Sequence, residues 1–177
     1  MEIYSEDKTL KYNKQTGILF RFKKYKKIDN KYIKQPRYVE VGSNHSRGYL
    51  TVGLGQKSFF AHRLAWEICH GKIAPAMTID HINGNKKDNR LSNLRVVTNA
   101  ENHKNMPLSS SNKSGVSGVY FYKSKWSNQP WKAQISIGKK TVGLGSFKTK
   151  IEAINARRAA EVIHNYHANH GRRDDII

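Results

Sequence analysis

The chain has 177 residues, with 32 lysines and arginines against 13 aspartates and glutamates, which gives a formal net charge of +19. A surplus of this size favours a polyanionic partner, and nucleic acid is the commonest such partner of a folded basic protein. The single cysteine, Cys69, excludes an internal disulfide and a multi-cysteine zinc site, and the short apolar runs exclude a transmembrane helix.

The positive charge is distributed along the chain. Residues 1–103 carry 19 of the basic and 9 of the acidic side chains, and residues 104–177 carry the other 13 and 4. Because apolar periodicity continues through both halves, we expect folded basic surfaces and not a disordered basic tail. The first residues have no apolar segment typical of a secretion signal, so the sequence favours an intracellular, cytoplasmic protein.

The first seventy residues predict short strands followed by a helix. The candidate strands, rich in β-branched and aromatic residues, are residues 18–22, 38–41 and 49–52. The lysine-rich stretch 23–34 is interpreted as a solvated loop. Residues 61–70 predict a helix with one apolar stripe, which ends at Gly71.

A compact strand–loop–strand–helix unit is predicted next. Residues 77–82 and 94–97 have the composition of short strands, and the polar stretch 83–93 between them is rich in turn-forming steps. Thr98 and Glu101 have the spacing of a capping box, which predicts that a helix begins here.

After a serine-rich linker at residues 107–113, the rest of the chain predicts a small sheet and one helix. The predicted strands are residues 116–122, 131–137 and 140–147, and a capping box of Thr149 and Glu152 opens a helix that reaches about residue 168. Apolar and polar residues alternate in the middle strand, so one face is expected to be buried and the other polar. The helix is expected to bury the apolar residues Ile151, Ile154, Ala159, Val162, Ile163 and Tyr166. The fold class is therefore α+β, with a three-stranded antiparallel sheet packed on one helix at its end.

Asp80 and His81 are neighbours on the first strand of the compact unit, and Asn93 and Asn102 follow along the chain. Asp80 and Asn102 could offer two oxygens to one hard divalent cation, which keeps several waters and binds substrate phosphate. His81 could take a proton from water, because its ordinary pKa lies near neutrality. The pattern indicates a metal-assisted phosphodiester hydrolase, although Asp-His pairs on strands also have purely structural roles.

Residues 10–106 resemble the HNH endonucleases of the phage homing type. The ordered motifs that carry the resemblance are Tyr49-Leu50, Gln56-Lys57, His62 to Trp66, Ile79 to Arg95 and Glu101-Asn102. The resemblance implies a ββα-metal finger at residues 77–105 that cuts double-stranded DNA with one divalent cation, Mg²⁺ or Mn²⁺, inside the host cell if the protein is phage-encoded. Zinc is not expected, because the cysteine quartet of many relatives is missing.

Carried over residue by residue, the resemblance makes His81 the general base and Asp80 and Asn102 the metal ligands. Asn93 would hold the loop and orient His81, and the products would carry 5′-phosphate and 3′-hydroxyl ends. Some HNH proteins have histidine at the last motif position, so His103 is an alternative to Asn102.

Residues 112–168 are similar to the Apetala-type domain of plant ethylene-response factors, which accompanies HNH nucleases in phage proteins. The matching segments are residues 114–120, 131–135, 144–147 and 152–153. The similarity implies a sheet that binds the DNA major groove, where the base pairs are distinguishable. The positions that contact DNA in that family are Ser117, Tyr120, Gln134, Ser136, Thr141 and Gly143, and the expected phosphate contacts are Lys132, Lys139 and Lys140. Several plant arginines and a tryptophan are replaced here, so the plant target sequence is not expected.

We therefore predict a DNA endonuclease with a nuclease domain at residues 1–106, a linker at 107–113 and a DNA-binding domain with a C-terminal tail at 114–177. His62 is expected to pack beneath the site, with a phosphate contact as the alternative. Two other functions fit the same residues: a DNA-binding regulator whose nuclease finger is inactive, and an RNA-binding accessory protein. Neither a protein partner nor a membrane is predicted.

Overall fold

The computed structural model describes residues 2–123 and 125–171 and divides into two compact units, which meet in the chain between Thr98 and Asn99. The predicted domain boundary, at residue 106, lies a few residues further along. No helix of the described residues is long and apolar enough to span a bilayer.

The first unit opens with a four-stranded antiparallel sheet in sequential order. Its strands are β1 (Glu2–Tyr4), β2 (Leu10–Asn13), β3 (Leu19–Ile28) and β4 (Lys31–Val41). The predicted loop at 23–34 is wrong, because β3 and β4 continue through it as a two-stranded ribbon. Asp29 and Asn30 form the turn with φ of 45° and 62°, the left-handed conformation that tight hairpin turns require.

A second small sheet leads to the first helix. The strands are β5 (Ser43–Asn44), β6 (Leu50–Leu54) and β7 (Lys57–Phe60), and helix α1 (Ala61–His70) follows at the predicted bounds. Gly71 ends the helix with a φ of 81°, and its N–H donates to the carbonyl of Glu67. The core of this unit joins both sheets and the helix, with Leu10, Tyr12, Leu19, Val52, Ala61, Ala65, Ile79 and Leu94 buried.

The first unit closes with an antiparallel pair, β8 (Met77–His81) and β9 (Leu94–Thr98). The polar loop between the two strands ends in a short 3₁₀ helix at Leu91–Asn93. Both strands agree with the sequence prediction to within one residue.

The second unit contains helix α2, an antiparallel sheet and helix α3. These elements are α2 (Asn99–His103), β10 (Val119–Phe121), β11 (Trp131–Ile137), β12 (Lys140–Phe147) and α3 (Lys150–Ile163). Val119 and Ala133 are paired across β10 and β11, and they are buried together with Ala153 of α3. Thr149 and Glu152 form the predicted capping box.

Three details of the second unit correct the prediction. Strand β10 is shorter than expected, and α3 ends at Ile163, because Asn165 takes a φ of 53° that no helix continues. The predicted apolar stripe is wrong in large part, since Ile151, Val162 and Ile163 are at least 70% exposed. The buried residues of the helix are Ala153, Arg157, Ala160 and Glu161. The small side chains let the helix approach the sheet closely. Arg157 and Glu161 can be buried on the same face because they form an ion pair, with Nε of Arg157 2.9 Å from Oε1 of Glu161.

Candidate active site and nucleic-acid interfaces

Strand β8 places Asp80 and His81 at its end, opposite β9. The register pairs Asp80 with Arg95 and His81 with Leu94. Both side chains are buried, with relative exposures of 7% for Asp80 and 4% for His81. Their position on a short buried strand fixes the two side chains on a rigid element.

The carboxylate of Asp80 is held by its cross-strand neighbour. Arg95 donates from Nε at 2.9 Å and from Nη2 at 2.7 Å, both to Oδ2 of Asp80. The side chain of Arg95 is about one-third exposed, so the ion pair lies at the surface edge of the strand pair. A buried carboxylate is costly without such a partner, and Arg95 supplies it.

The ring of His81 lies among aromatic side chains. Its centroid is 5.1 Å from that of His62 and 5.9 Å from that of Tyr49, and its Nε2 lies 3.2 Å from Oδ1 of Asn89. Burial lowers the pKa of His81, and the bond to Asn89 and the charge of Asp80 act in the opposite direction. At neutral pH the ring is therefore uncharged and able to accept a proton.

Asn93 bridges the loop that follows β8. Its side chain accepts from the N–H of Asn83 at 2.9 Å and donates to the carbonyl of Asp88 at 2.8 Å, and its backbone carbonyl accepts from the N–H of Ile82. Asp88 is fixed in turn by two side-chain bonds from Arg90. These bonds hold the loop, and the amide of Asn89 lies within hydrogen-bond distance of Nε2 of His81.

His62 packs beneath His81, as the sequence predicts. It lies in the first turn of helix α1 and stacks on Phe60, and its ring centroid is 5.1 Å from that of Tyr49. Burial, with smaller effects of His81 and Arg63, lowers the pKa of His62 to about 3. An uncharged buried ring is a poor phosphate contact, so the packing role is favoured over the alternative.

Asn102 and His103 both lie on α2, in the second unit, and Asn102 is half-buried while His103 is exposed. Which of the two is a metal ligand stays a prediction. Carboxylate and amide oxygens are donors of the kind that a hard divalent cation takes. Among residues 2–123 and 125–171, no three His, Cys, Asp or Glu side chains form a metal cluster.

The sheet of the second unit collects most of the predicted DNA contacts on the face opposite α3. Ala133 and Ile135 of β11 are buried. The residues that alternate with them, Lys132, Gln134 and Ser136, therefore face away from the helix. Register places these polar residues side by side, in the pairs Tyr120–Lys132, Lys132–Ser146, Gln134–Gly143 and Ser136–Thr141. Lys132 donates from Nζ to the hydroxyl of Ser146.

The other predicted contacts of this unit lie at its margins. Lys139 and Lys140 are exposed at the β11–β12 turn, where Gly138 has a φ of 60°. Ser117 precedes β10, outside the strands, and lines a cavity of about 570 Å³ together with Gln134, Ser136 and Arg157.

The β3–β4 ribbon is a basic surface that sequence reasoning missed. Every residue from 22 to 36 is exposed, and residues 23–36 include six lysines and one acidic residue, Asp29. Cross-strand pairs place lysines next to aromatic side chains, as in Tyr25–Lys34 and Lys27–Tyr32. The Asp-Asn step between two alternating Lys/Tyr/Ile segments is the sequence signal that could have identified the hairpin.

Asn89 was also missed. It lies in a polar loop with several other asparagines, and its sequence position does not distinguish it from them. Only the fold shows that its side chain is turned inward, with an exposure of 2%.

The HNH endonuclease family model matches residues 59–104 of the chain. This segment includes α1, the β8–β9 pair and the buried Asp80 and His81. Residues 59–104 are therefore similar to the HNH endonuclease domain.

Two curated relatives of the chain come from a phage and a prophage. Protein 3.8 of Escherichia phage T7 is 35% identical over 75 residues, which are 42% of this chain and 60% of the relative. YosQ, an SPbeta prophage-derived protein of Bacillus subtilis (strain 168) named as an HNH homing endonuclease, is 32% identical over 88 residues, half of this chain and 47% of the relative. The chain thus spans about half the length of the curated relatives it matches.

A solved structure that concerns DNA binding and cleavage by the HNH homing endonuclease I-HmuI is also similar to this chain. Its identity to this chain is 27% and its TM-score 0.39, over 54% of this chain and 50% of I-HmuI.

Proposed function

We propose that the protein is a metal-dependent DNA endonuclease of the homing type, which hydrolyses phosphodiester bonds to 5′-phosphate and 3′-hydroxyl ends. The observation that carries the proposal is the buried Asp80–His81 pair inside the matched HNH segment, with a neutral His81 and a loop held by Asn93.

In this proposal His81 removes a proton from the attacking water, whose oxygen adds to phosphorus as the bond to the 3′ oxygen breaks; the 3′ oxygen takes a proton from solvent water. Asp80 and Asn102 would hold one divalent cation, with His103 as the alternative to Asn102. Such an ion, Mg²⁺ or Mn²⁺, stabilises the phosphoanion and the leaving oxygen when bound. Asn93 holds the loop between β8 and β9 in place.

Two surfaces support duplex DNA as the substrate. The polar face of the β10–β12 sheet presents Tyr120, Gln134, Ser136 and Thr141 to a groove, and Lys132, Lys139 and Lys140 to phosphates. In the first unit, residues 22–28 of the β3–β4 ribbon extend for about 24 Å at roughly 3.4 Å per residue. A two-stranded ribbon fits the major groove of B-DNA.

Supercoiled plasmid incubated with the purified protein tests the proposal. Mg²⁺, Mn²⁺ and EDTA are compared in parallel, and nicked and linear products are separated on a gel. We expect cleavage with a divalent ion and none with EDTA, and the ratio of products reports whether one or both strands are cut. Intact plasmid under every condition, with DNA binding retained, would instead support a regulator with an inactive finger.

A further inference from the structure

The general base has a hydrogen-bond partner that the sequence did not indicate. Nε2 of His81 lies 3.2 Å from Oδ1 of Asn89, and both residues are buried, with exposures of 4% and 2%. A buried hydrogen bond between two such groups is well shielded from competing water.

The amide of Asn89 determines which ring nitrogen of His81 carries the proton. A carbonyl oxygen can only accept a hydrogen bond, so Nε2 of a neutral His81 must carry the proton. The lone pair then lies on Nδ1. A histidine that acts as a general base needs its lone pair on the nitrogen that faces the water, and the partner of the other nitrogen decides this.

Asn89 is itself held by the N-terminal sheet. The hydroxyl of the fully buried Tyr12, on β2, donates to the backbone carbonyl of Asn89 at 2.8 Å. The turn before β3 closes on the same segment, since a Cβ atom at Gly17 would lie 2.6 Å from the backbone nitrogen of Arg90 and 2.8 Å from the carbonyl carbon of Asn89. Asn93 holds the two ends of the loop, whereas Tyr12 and Gly17 fix its middle.

We propose that Asn89 is the positioning residue of His81: it fixes the tautomer with the proton on Nε2, and the β2–β3 hairpin holds it there through Tyr12. The inference rests on the proposed function only in calling His81 the base; the tautomer itself is a property of the folded protein.

The full-length protein with ¹⁵N-labelled histidine provides the test. Long-range proton–nitrogen correlation spectra, recorded at a pH where the ring is neutral, report which nitrogen of His81 carries the proton. We expect Nε2–H in the wild type. A wild-type spectrum with the proton on Nδ1 would overturn the proposal without any variant.

Variants distinguish the effect of the hydrogen bond from the effect of side-chain packing. Asn89→Leu keeps the size of the side chain but removes the acceptor, and should give a mixture of tautomers and a cleavage rate about 10- to 100-fold lower, as for other partners that orient functional histidines. Asn89→Asp keeps an acceptor oxygen and should retain the Nε2–H tautomer. Asn44→Leu, at an exposed asparagine of the same unit, is the matched control and should change neither readout.

Two outcomes would contradict the proposal: an unchanged tautomer in Asn89→Leu, or equal loss of the Nε2–H tautomer in Asn89→Leu and Asn89→Asp. Tyr12→Phe, which keeps the ring and removes the donated bond, should lower the cleavage rate and broaden the His81 signals. Failure of the wild type to cut DNA, with a fixed Nε2–H tautomer, would count against the nuclease function and leave the positioning role supported.

Discussion

His62 links the stability of the first unit to pH. Its pKa is about 3 in the folded protein, mainly because of burial, against an ordinary value of 6.5. Between these values the unfolded chain binds a proton that the folded one does not. The free energy of unfolding therefore falls as the pH is lowered from about 6.5 towards 3, and this contribution is fully present only above that range.

We expect His62→Phe to reduce this acid sensitivity, because phenylalanine keeps the ring contacts and binds no proton. One pKa unit corresponds to about 1.4 kcal/mol, so the effect should amount to a few kcal/mol over the whole range. Urea unfolding of both proteins at neutral pH and at about pH 4.5 measures it. An equal loss of stability in both proteins would contradict the account.

At this scale the sequence indicated a candidate set of residues but not the contacts around them. Asp80, His81 and Asn93 were identified as one constellation, since their residue types and order are characteristic of the HNH motif. Arg95 and Asn89 were not, because their roles depend on strand register and on the inward turn of one amide in a loop of several.

The β2–β3 turn shows how one backbone conformation supports the site. Gly17 has a φ of 74° and meets the backbone of Asn89 and Arg90, which cannot move aside as a flexible side chain would. We expect Gly17→Ala to destabilise the first unit by at least 2 kcal/mol, roughly the sum of positive-φ strain and overpacking.

Gly55→Ala is the matched control for Gly17→Ala. Gly55 has a similar φ of 61°, but no atom lies within 4 Å of a Cβ built there. Chemical denaturation should show a clearly smaller loss for Gly55→Ala. Equal losses of stability for the two variants would mean that the contact of Gly17 with the loop contributes nothing to stability.

The β3–β4 ribbon is expected to bind DNA through phosphates. Lys26, Lys27 and Lys31 lie in its exposed half. Replacing all three by glutamine should weaken binding to any duplex sequence and reduce the slope of log K against log salt by about 3, since each phosphate contact contributes about 0.9. Affinities measured over a range of salt concentrations test this.

The control replaces Lys8, Lys57 and Lys72, three exposed lysines of the same unit outside the ribbon, by glutamine. It changes the net charge by the same amount. If both triple variants altered the slope equally, the ribbon would contribute only general charge and not a contact surface.

Elements with strong local signals were predicted well, and those decided by tertiary contacts were not. Helix α1 and strands β11 and β12 were confirmed at their bounds, because apolar periodicity, Gly71 and the Gly138 turn define them. The ribbon was mistaken for a loop, since its lysines mask the alternation. The buried face of α3 was mistaken because small residues and an ion pair, not large aliphatic residues, meet the sheet.

On the scale of the whole molecule, two basic units suggest that different surfaces supply the affinity for DNA and the selectivity for its sequence. Phosphate contacts give affinity, and base contacts give selectivity. We expect Gln134→Ala, on the polar sheet face, to relax the sequence preference of the protein, whereas the ribbon variant lowers affinity without changing it. Selection of bound duplexes from a random pool measures both. An unchanged preference in Gln134→Ala would argue against base contact by this face.

The central claim is that His81 takes the proton from the water that cuts DNA. The most direct measurement is single-turnover cleavage of plasmid DNA by the wild type and by His81→Ala, with Mg²⁺ and at equal occupancy of the DNA. We predict equal binding and a cleavage rate about 10²- to 10⁴-fold lower for the variant. Equal cleavage rates for the two proteins would contradict the account.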